Sequence, residues 1–214
     1  MEQNIKIAVI GGTGKSGKYL VKYLLNQHFS IKVLLRNPHN LTLKNPLIES
    51  VNGNVADYDA VFNLVNGCQA VISTLGLGNP ASEPTIFSLS TSNILRAMTE
   101  CGVRRYIVTT GLNVDTPFDR KSPKVLAATD WMKNTYPLST INKQLEYELL
   151  SKSNIDWTLV RLPMIEQTDK RMQIRVSLTD CPGEKVSATD LACFLNEQLT
   201  DNQYVRKSPF IASV

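Results

Sequence analysis

Residues 5–17 read Ile-Lys-Ile-Ala-Val-Ile-Gly-Gly-Thr-Gly-Lys-Ser-Gly, a short apolar run that gives way at once to a glycine-dense turn. Glycine turns the backbone tightly and lets phosphate groups approach its N–H groups. A helix starting there aims its free N–H groups and positive dipole end at the same place. The spacing of Gly11, Gly14 and Gly17 supplies what a dinucleotide needs at a strand's end: a tight turn, close approach to the pyrophosphate, and close packing of the next helix. Thr13, Lys15 and Ser16 lie in the same turn and complete the candidate phosphate contacts. Gly14-Lys15-Ser16 is also the tail of a triphosphate-binding loop, but that loop needs a further glycine where Val9 stands, inside the strand. The pattern therefore argues against ATP or GTP hydrolysis and for a dinucleotide.

Other candidates stand where strands should end. Leu35-Arg36 follows the second apolar run, where NAD sites usually carry an acid against the ribose 2′-hydroxyl. A guanidinium forks onto a phosphate and cannot accept a hydrogen bond, so Arg36, aided by Lys15, favours NADP (NADPH) unless both are plain surface cations. Asn54 offers donor and acceptor to an adenine edge, or is a turn asparagine, with Val55 beside it. Thr74-Leu75-Gly76 lets the backbone approach the cofactor ribose. Thr109-Thr110-Gly111 puts hydroxyls where a nicotinamide or substrate carbonyl would sit, and Pro163-Met164-Ile165 offers an apolar wall.

The elements that must position these residues alternate. Strands are expected over residues 5–10, 30–35, 47–51, 70–75, 105–110 and 156–160, with Arg161-Leu162-Pro163 as the last exit. Helices are expected over 15–27, 57–65 (capped by Asp57, closed by Gly67), 85–100, 139–151 and 187–199, the last started by Ser-Ala-Thr-Asp. Residues 112–138 read as irregular, with three prolines and a short helix at about 124–132, while 173–178 is a further strand and 210–214 an edge strand. The implied fold class is α/β, a Rossmann-like doubly wound, mostly parallel sheet with helices on both faces. Residues 1–214 form one domain, with a substrate-side region from about 112–138 and 163–186.

Composition narrows the classes further. Of 214 residues 43% are hydrophobic, enough for a large core. The net charge of +4 is spread without a basic stripe, which gives nucleic-acid binding little support. No apolar run approaches the roughly 20 residues of a membrane span, and the polar Met1-Glu2-Gln3-Asn4 leaves no signal peptide to expect. Four scattered cysteines and two histidines draw no metal cluster and suit a reduced, cytoplasmic protein.

Gly11-Gly12-Thr13-Gly14-Lys15-Ser16-Gly17, Val33-Leu34-Leu35-Arg36-Asn37-Pro38 and Asp156-Trp157-Thr158-Leu159-Val160-Arg161-Leu162-Pro163 give the chain a recognisable character. It resembles an atypical short-chain dehydrogenase/reductase, of the NAD(P)-binding group that includes biliverdin-IX-beta/flavin reductases and NmrA-like proteins. The resemblance implies that the glycine turn binds pyrophosphate, Arg36 the 2′-phosphate and Thr74-Leu75-Gly76 the ribose region. It also implies that Thr110 is the active-site hydroxyl and that Lys143 contacts the nicotinamide ribose. Most relatives carry a catalytic tyrosine four residues before that lysine; here the position is Ser139. Serine is a far weaker acid than a phenol, so Tyr136 is the remaining candidate for that role.

Reduction of a planar acceptor (flavin, quinone or tetrapyrrole) by hydride from NADPH tolerates this loss, since solvent supplies the proton. Phe118, Trp131, Met132 and Tyr136 would form the acceptor-side lid, or else a cluster under a long loop. The alternative is an NmrA-like sensor that binds NADP without turnover. A nucleotide-sugar epimerase ranks third, since it wants the tyrosine and a larger substrate domain.

Overall fold

The computed structural model describes residues 5–78 and 81–214; the polar stretch 1–4 lies outside them. Strands β1 (Lys6–Ile10), β2 (Ser30–Leu35), β3 (Ile48–Asn52), β4 (Ala70–Ser73), β5 (Arg105–Gly111), β6 (Asp156–Leu162), β8 (Ile174–Ser177) and β10 (Phe210–Ser213) form one sheet, in the order β3-β2-β1-β4-β5-β6-β10-β8. Every pairing is parallel except that of β8 with β10. The strand order runs outward in both directions from β1 and β4, so the crevice of a doubly wound sheet opens at their carboxyl ends.

The central strands read as apolar runs because both faces are covered. Ile7, Ala8, Val9 and Ile10 are all buried in β1, and α1 (Gly17–Asn26) presents Leu20, Val21, Leu24 and Leu25 as its buried stripe. One core joins α1 and α6 (Ala188–Glu197) to the sheet through Leu24, Val33, Ile72 and Leu195. The other joins α2 (Tyr58–Val65), α3 (Ile86–Cys101) and α5 (Pro137–Lys152) to the opposite face through Leu64, Ile94, Leu150 and Leu159. Local capping follows the sequence: Asp57 accepts from the Asp59 N–H and Ser187 from that of Asp190.

Several expectations are corrected. β10 is not an edge strand: β8 pairs antiparallel with it and takes the edge, because Phe210, Ile211 and Ala212 are too apolar to leave exposed. The 112–138 segment is not mostly irregular; α4 spans Pro123–Thr135, with Pro123 in its first turn, where a missing N–H costs nothing. β6 continues through Leu162, and β4 ends at Ser73 rather than 75. Two short strands went unread, β7 (Met164–Glu166) and β9 (Lys185–Ser187), which pair in parallel beside the main sheet.

Candidate functional site

The glycine turn closes as its spacing requires. Gly11 has φ +75°, and a Cβ there would meet the Thr74 carbonyl oxygen at 2.7 Å. At Gly17 a Cβ would lie 1.9 Å from the Gly11 carbonyl oxygen. Both positions admit only glycine, and both shape a backbone cradle at the start of α1, which begins at Gly17 and not at Lys15. Ser16 makes no side-chain cap, and in the first turn the Lys18 N–H donates to the Gly14 carbonyl at 3.2 Å and the Tyr19 N–H to that of Ser16 at 3.1 Å. Gly12, unassigned from sequence, is held against Val33 and Val21, where a Cβ would come to 3.0 and 3.1 Å. Thr13, Gly14 and Lys15 are exposed on the turn's outer side.

The neighbouring strand ends converge on this cradle. The Thr74 hydroxyl donates to the carbonyls of Ile10 and Gly11, both at 3.3 Å, tying the end of β4 to the turn. Leu75 is half-buried and Gly76 exposes open space at its α-carbon. Arg36 leaves β2 on the same rim and its Nη1 donates to Ser82 Oγ at 2.8 Å, which adds Ser82 to the candidate site. Asn54 is exposed and its side-chain oxygen accepts from the Ala56 N–H, the behaviour of a turn asparagine. Val55 is buried and its carbonyl accepts from Asn93.

On the nicotinamide side, Thr109 donates to the Ser73 carbonyl at 3.4 Å and so serves the sheet. Thr110 is 3% exposed and its hydroxyl has no hydrogen-bond partner among the described residues. Lys143 projects from α5, half-buried, with Nζ 4.7 Å from the centre of the Phe87 ring. Burial lowers its pKa, and Glu146 one turn on opposes the shift. Glu146, not singled out from sequence, is buried, and among the described residues it has one hydrogen bond, from Thr91 at 2.9 Å. Burial pushes its carboxyl up to about 7, against the pull of Lys143 and Thr91. Asn142 locks the same seam by exchanging two hydrogen bonds with Ser88.

The expected lid divides. Trp131 and Tyr136 meet edge to face at 5.9 Å and are both about half exposed, and Met132 reaches Gly111. Phe118 stands apart, lining a cavity of about 600 Å³ beside Tyr147 and Trp157, near the start of β6 and away from the strand exits. Ser139 Oγ donates to the Tyr136 carbonyl at 3.3 Å. Pro163 is buried while Met164 is 69% exposed, so an apolar wall at this exit has one fixed and one free residue.

Arg161, read as part of a strand exit, is completely buried. Its Nη1 donates to both carboxylate oxygens of Asp119, at 2.7 and 2.8 Å, and its guanidinium stacks 3.5 Å from the Phe210 ring. Further bonds to the carbonyls of Val114, Leu178 and Ser208 gather the two substrate-side segments onto β6. Such planar, multi-donor pairing is what arginine offers over lysine.

The sheet with its switch-point glycine cradle defines a Rossmann-like dinucleotide-binding domain. The chain belongs to the NAD(P)H-binding family, whose model matches residues 11–202. Cinnamoyl-CoA reductase 1 of Petunia hybrida is 22% identical over 184 residues, covering 75% of this chain and 54% of its own length. The chain thus spans about half the length of that curated relative. In fold it is similar to ChuY, an anaerobillin reductase from Escherichia coli O157:H7 (TM-score 0.80, 15% identity, 97% of each chain). It is also similar to a short-chain dehydrogenase/reductase from Veillonella parvula DSM 2008 in complex with NADP (TM-score 0.77, 16% identity, 98% of this chain and 94% of that one). No helix among the described residues is long and apolar enough to cross a membrane.

Proposed function

We propose that the protein is an NADPH-dependent reductase of a small planar acceptor of the flavin, quinone or tetrapyrrole type. The observation that carries this reading is the state of position 139. Ser139 turns its hydroxyl back onto the Tyr136 carbonyl, and Tyr136 is about half exposed against Trp131. Neither offers the buried, lysine-assisted phenol that alcohol oxidation uses. Planar acceptors need less: NADPH supplies hydride at its nicotinamide C4, and solvent supplies the proton.

The chain's own residues have the remaining tasks. The cradle of Gly11, Gly14 and Gly17, with Thr13, Lys15 and Ser16, holds the pyrophosphate. Arg36 and Ser82 take the 2′-phosphate, Asn54 and Val55 border the adenine, and Leu75-Gly76 border the ribose. Thr110 and Lys143 orient the nicotinamide end, with Pro163 and Met164 over it. The shared fold of ChuY is in keeping with a tetrapyrrole-type acceptor.

Steady-state NADPH oxidation across a panel of riboflavin, menadione and biliverdin tests the reading. Turnover above the uncatalysed rate with at least one acceptor is expected, and Arg36→Asp should weaken NADPH at least about tenfold while sparing NADH. Tight NADPH binding with no turnover on any acceptor would instead favour the sensor, which the absent tyrosine also suits.

A further inference from the structure

The exit of β5 carries polar groups that the fold leaves unpaired. Asn113 is 1% exposed, and neither its Nδ2 nor its Oδ1 has a hydrogen-bond partner among the described residues. The same holds for the hydroxyls of Thr110, three residues earlier, and Thr129, on the buried face of α4. Buried polar groups are nearly always paired, so the Thr110 hydroxyl and the Asn113 carboxamide, both at the exit of β5, ask for a partner. In the reductase reading this exit is the acceptor end of the cofactor crevice. Asn113 Oδ1 and Met132 Cε both crowd Gly111, where a Cβ would lie 2.3 and 3.1 Å from them.

α4, whose Met132 reaches Gly111, is held mainly by surface contacts, Lys133 with Asp115 and Lys124 with Glu184. α4 is 13 residues long, yet Val125 and Thr129 are its only buried side chains, and the Thr129 hydroxyl is unpaired. A helix with so little buried apolar surface belongs to the part of a fold that opens most easily.

We propose that Asn113, uncovered as α4 lifts, is the specificity-determining residue of the acceptor site and selects planar acceptors bearing a lactam or imide edge. The inference rests on the reductase reading. A carboxamide presents a donor and an acceptor in one plane, the complement of a ring N–H beside a ring C=O. The pyrimidine edge of a flavin and the terminal lactams of a linear tetrapyrrole have that edge. A quinone has carbonyls alone and would leave Asn113 Oδ1 unmet, and unmet buried groups are how a polar site rejects a near-match.

The test pairs riboflavin with 3-methylriboflavin, which lacks the ring N–H, and with menadione, on wild type and Asn113→Leu. Equilibrium binding with NADP⁺ present, where no hydride can move, reads recognition alone; kcat/KM with NADPH reads turnover. Wild type should favour riboflavin over 3-methylriboflavin by about tenfold or more, and Asn113→Leu should erase that preference through KM while menadione gains rather than loses, since the amide oxygen it left unmet is gone. Since 3-methylriboflavin tests the unmodified protein, a poorly folding variant does not rescue the idea. Binding preference without turnover on any acceptor would overturn the reductase reading and leave Asn113 standing. Turnover without the preference, or equal losses on all three acceptors, would overturn the role of Asn113.

Discussion

Arg36, Thr110 and Glu146 illustrate what a residue tells at its own scale. Arg36 stood out because a guanidinium where an acid usually stands bears on which ribose a site would hold, and the structure shows it donating to Ser82. Thr110 was legible only as a strand-end hydroxyl; that it is buried with no hydrogen-bond partner among the described residues is set by tertiary packing, which a strand-end position does not show. Glu146 was not legible at all, because a glutamate on a helix is ordinarily solvated and its burial needs α3 laid against α5.

The titration of Glu146 has a direction that follows from this burial. Its folded-state pKa, about 7, stands above the ordinary 4.5 because burial disfavours the charged form. Between these values the folded state holds a proton that the unfolded state has released, so stability is full below about 4.5 and falls as pH rises through 7. Urea unfolding of wild type should therefore lose about 1–3 kcal/mol between acid and mildly alkaline pH, and Glu146→Gln should flatten that slope. Equal slopes would mean that the carboxylate is met by a charge partner in the folded state.

At the scale of elements, periodicity found the central strands and the amphipathic helices, because burial on one stripe or two faces writes itself into the sequence. It missed the extent of α4, whose buried side chains are only Val125 and Thr129 and so leave no stripe to read. It misplaced β10, whose apolar run fits an edge or an interior equally until β8 is seen beside it. Arg161 was read only as the start of a strand exit; its burial depends on Asp119, 42 residues away, which spacing does not show.

The turn between β1 and α1 is the element with the least tolerance. Gly17→Ala would press a methyl to 1.9 Å from the Gly11 carbonyl oxygen, a clash with backbone that no rotamer relieves. Thermal unfolding should show a loss of about 2–3 kcal/mol, and NADPH binding should vanish with it. Intact NADPH affinity in Gly17→Ala would place the pyrophosphate elsewhere.

For the whole molecule, the strand order sets where chemistry happens. Two half-sheets diverge from β1 and β4, and the glycine cradle, Thr74 and Arg36 collect on that rim. From β5 and β6 hang Thr110, Asn113 and the segments gathered by Arg161. One side thus serves a dinucleotide and the other an acceptor, with the two faces of the nicotinamide ring between them in the proposed reading.

Hydride transfer itself is the most direct test of that reading. Protein mixed with NADPH deuterated at the nicotinamide C4 and then with excess riboflavin or biliverdin should oxidise the nucleotide in a single turnover, deuterium on one C4 face slowing the decay. Stable NADPH that binds tightly yet decays no faster than in free solution, whichever face is labelled, would contradict the account.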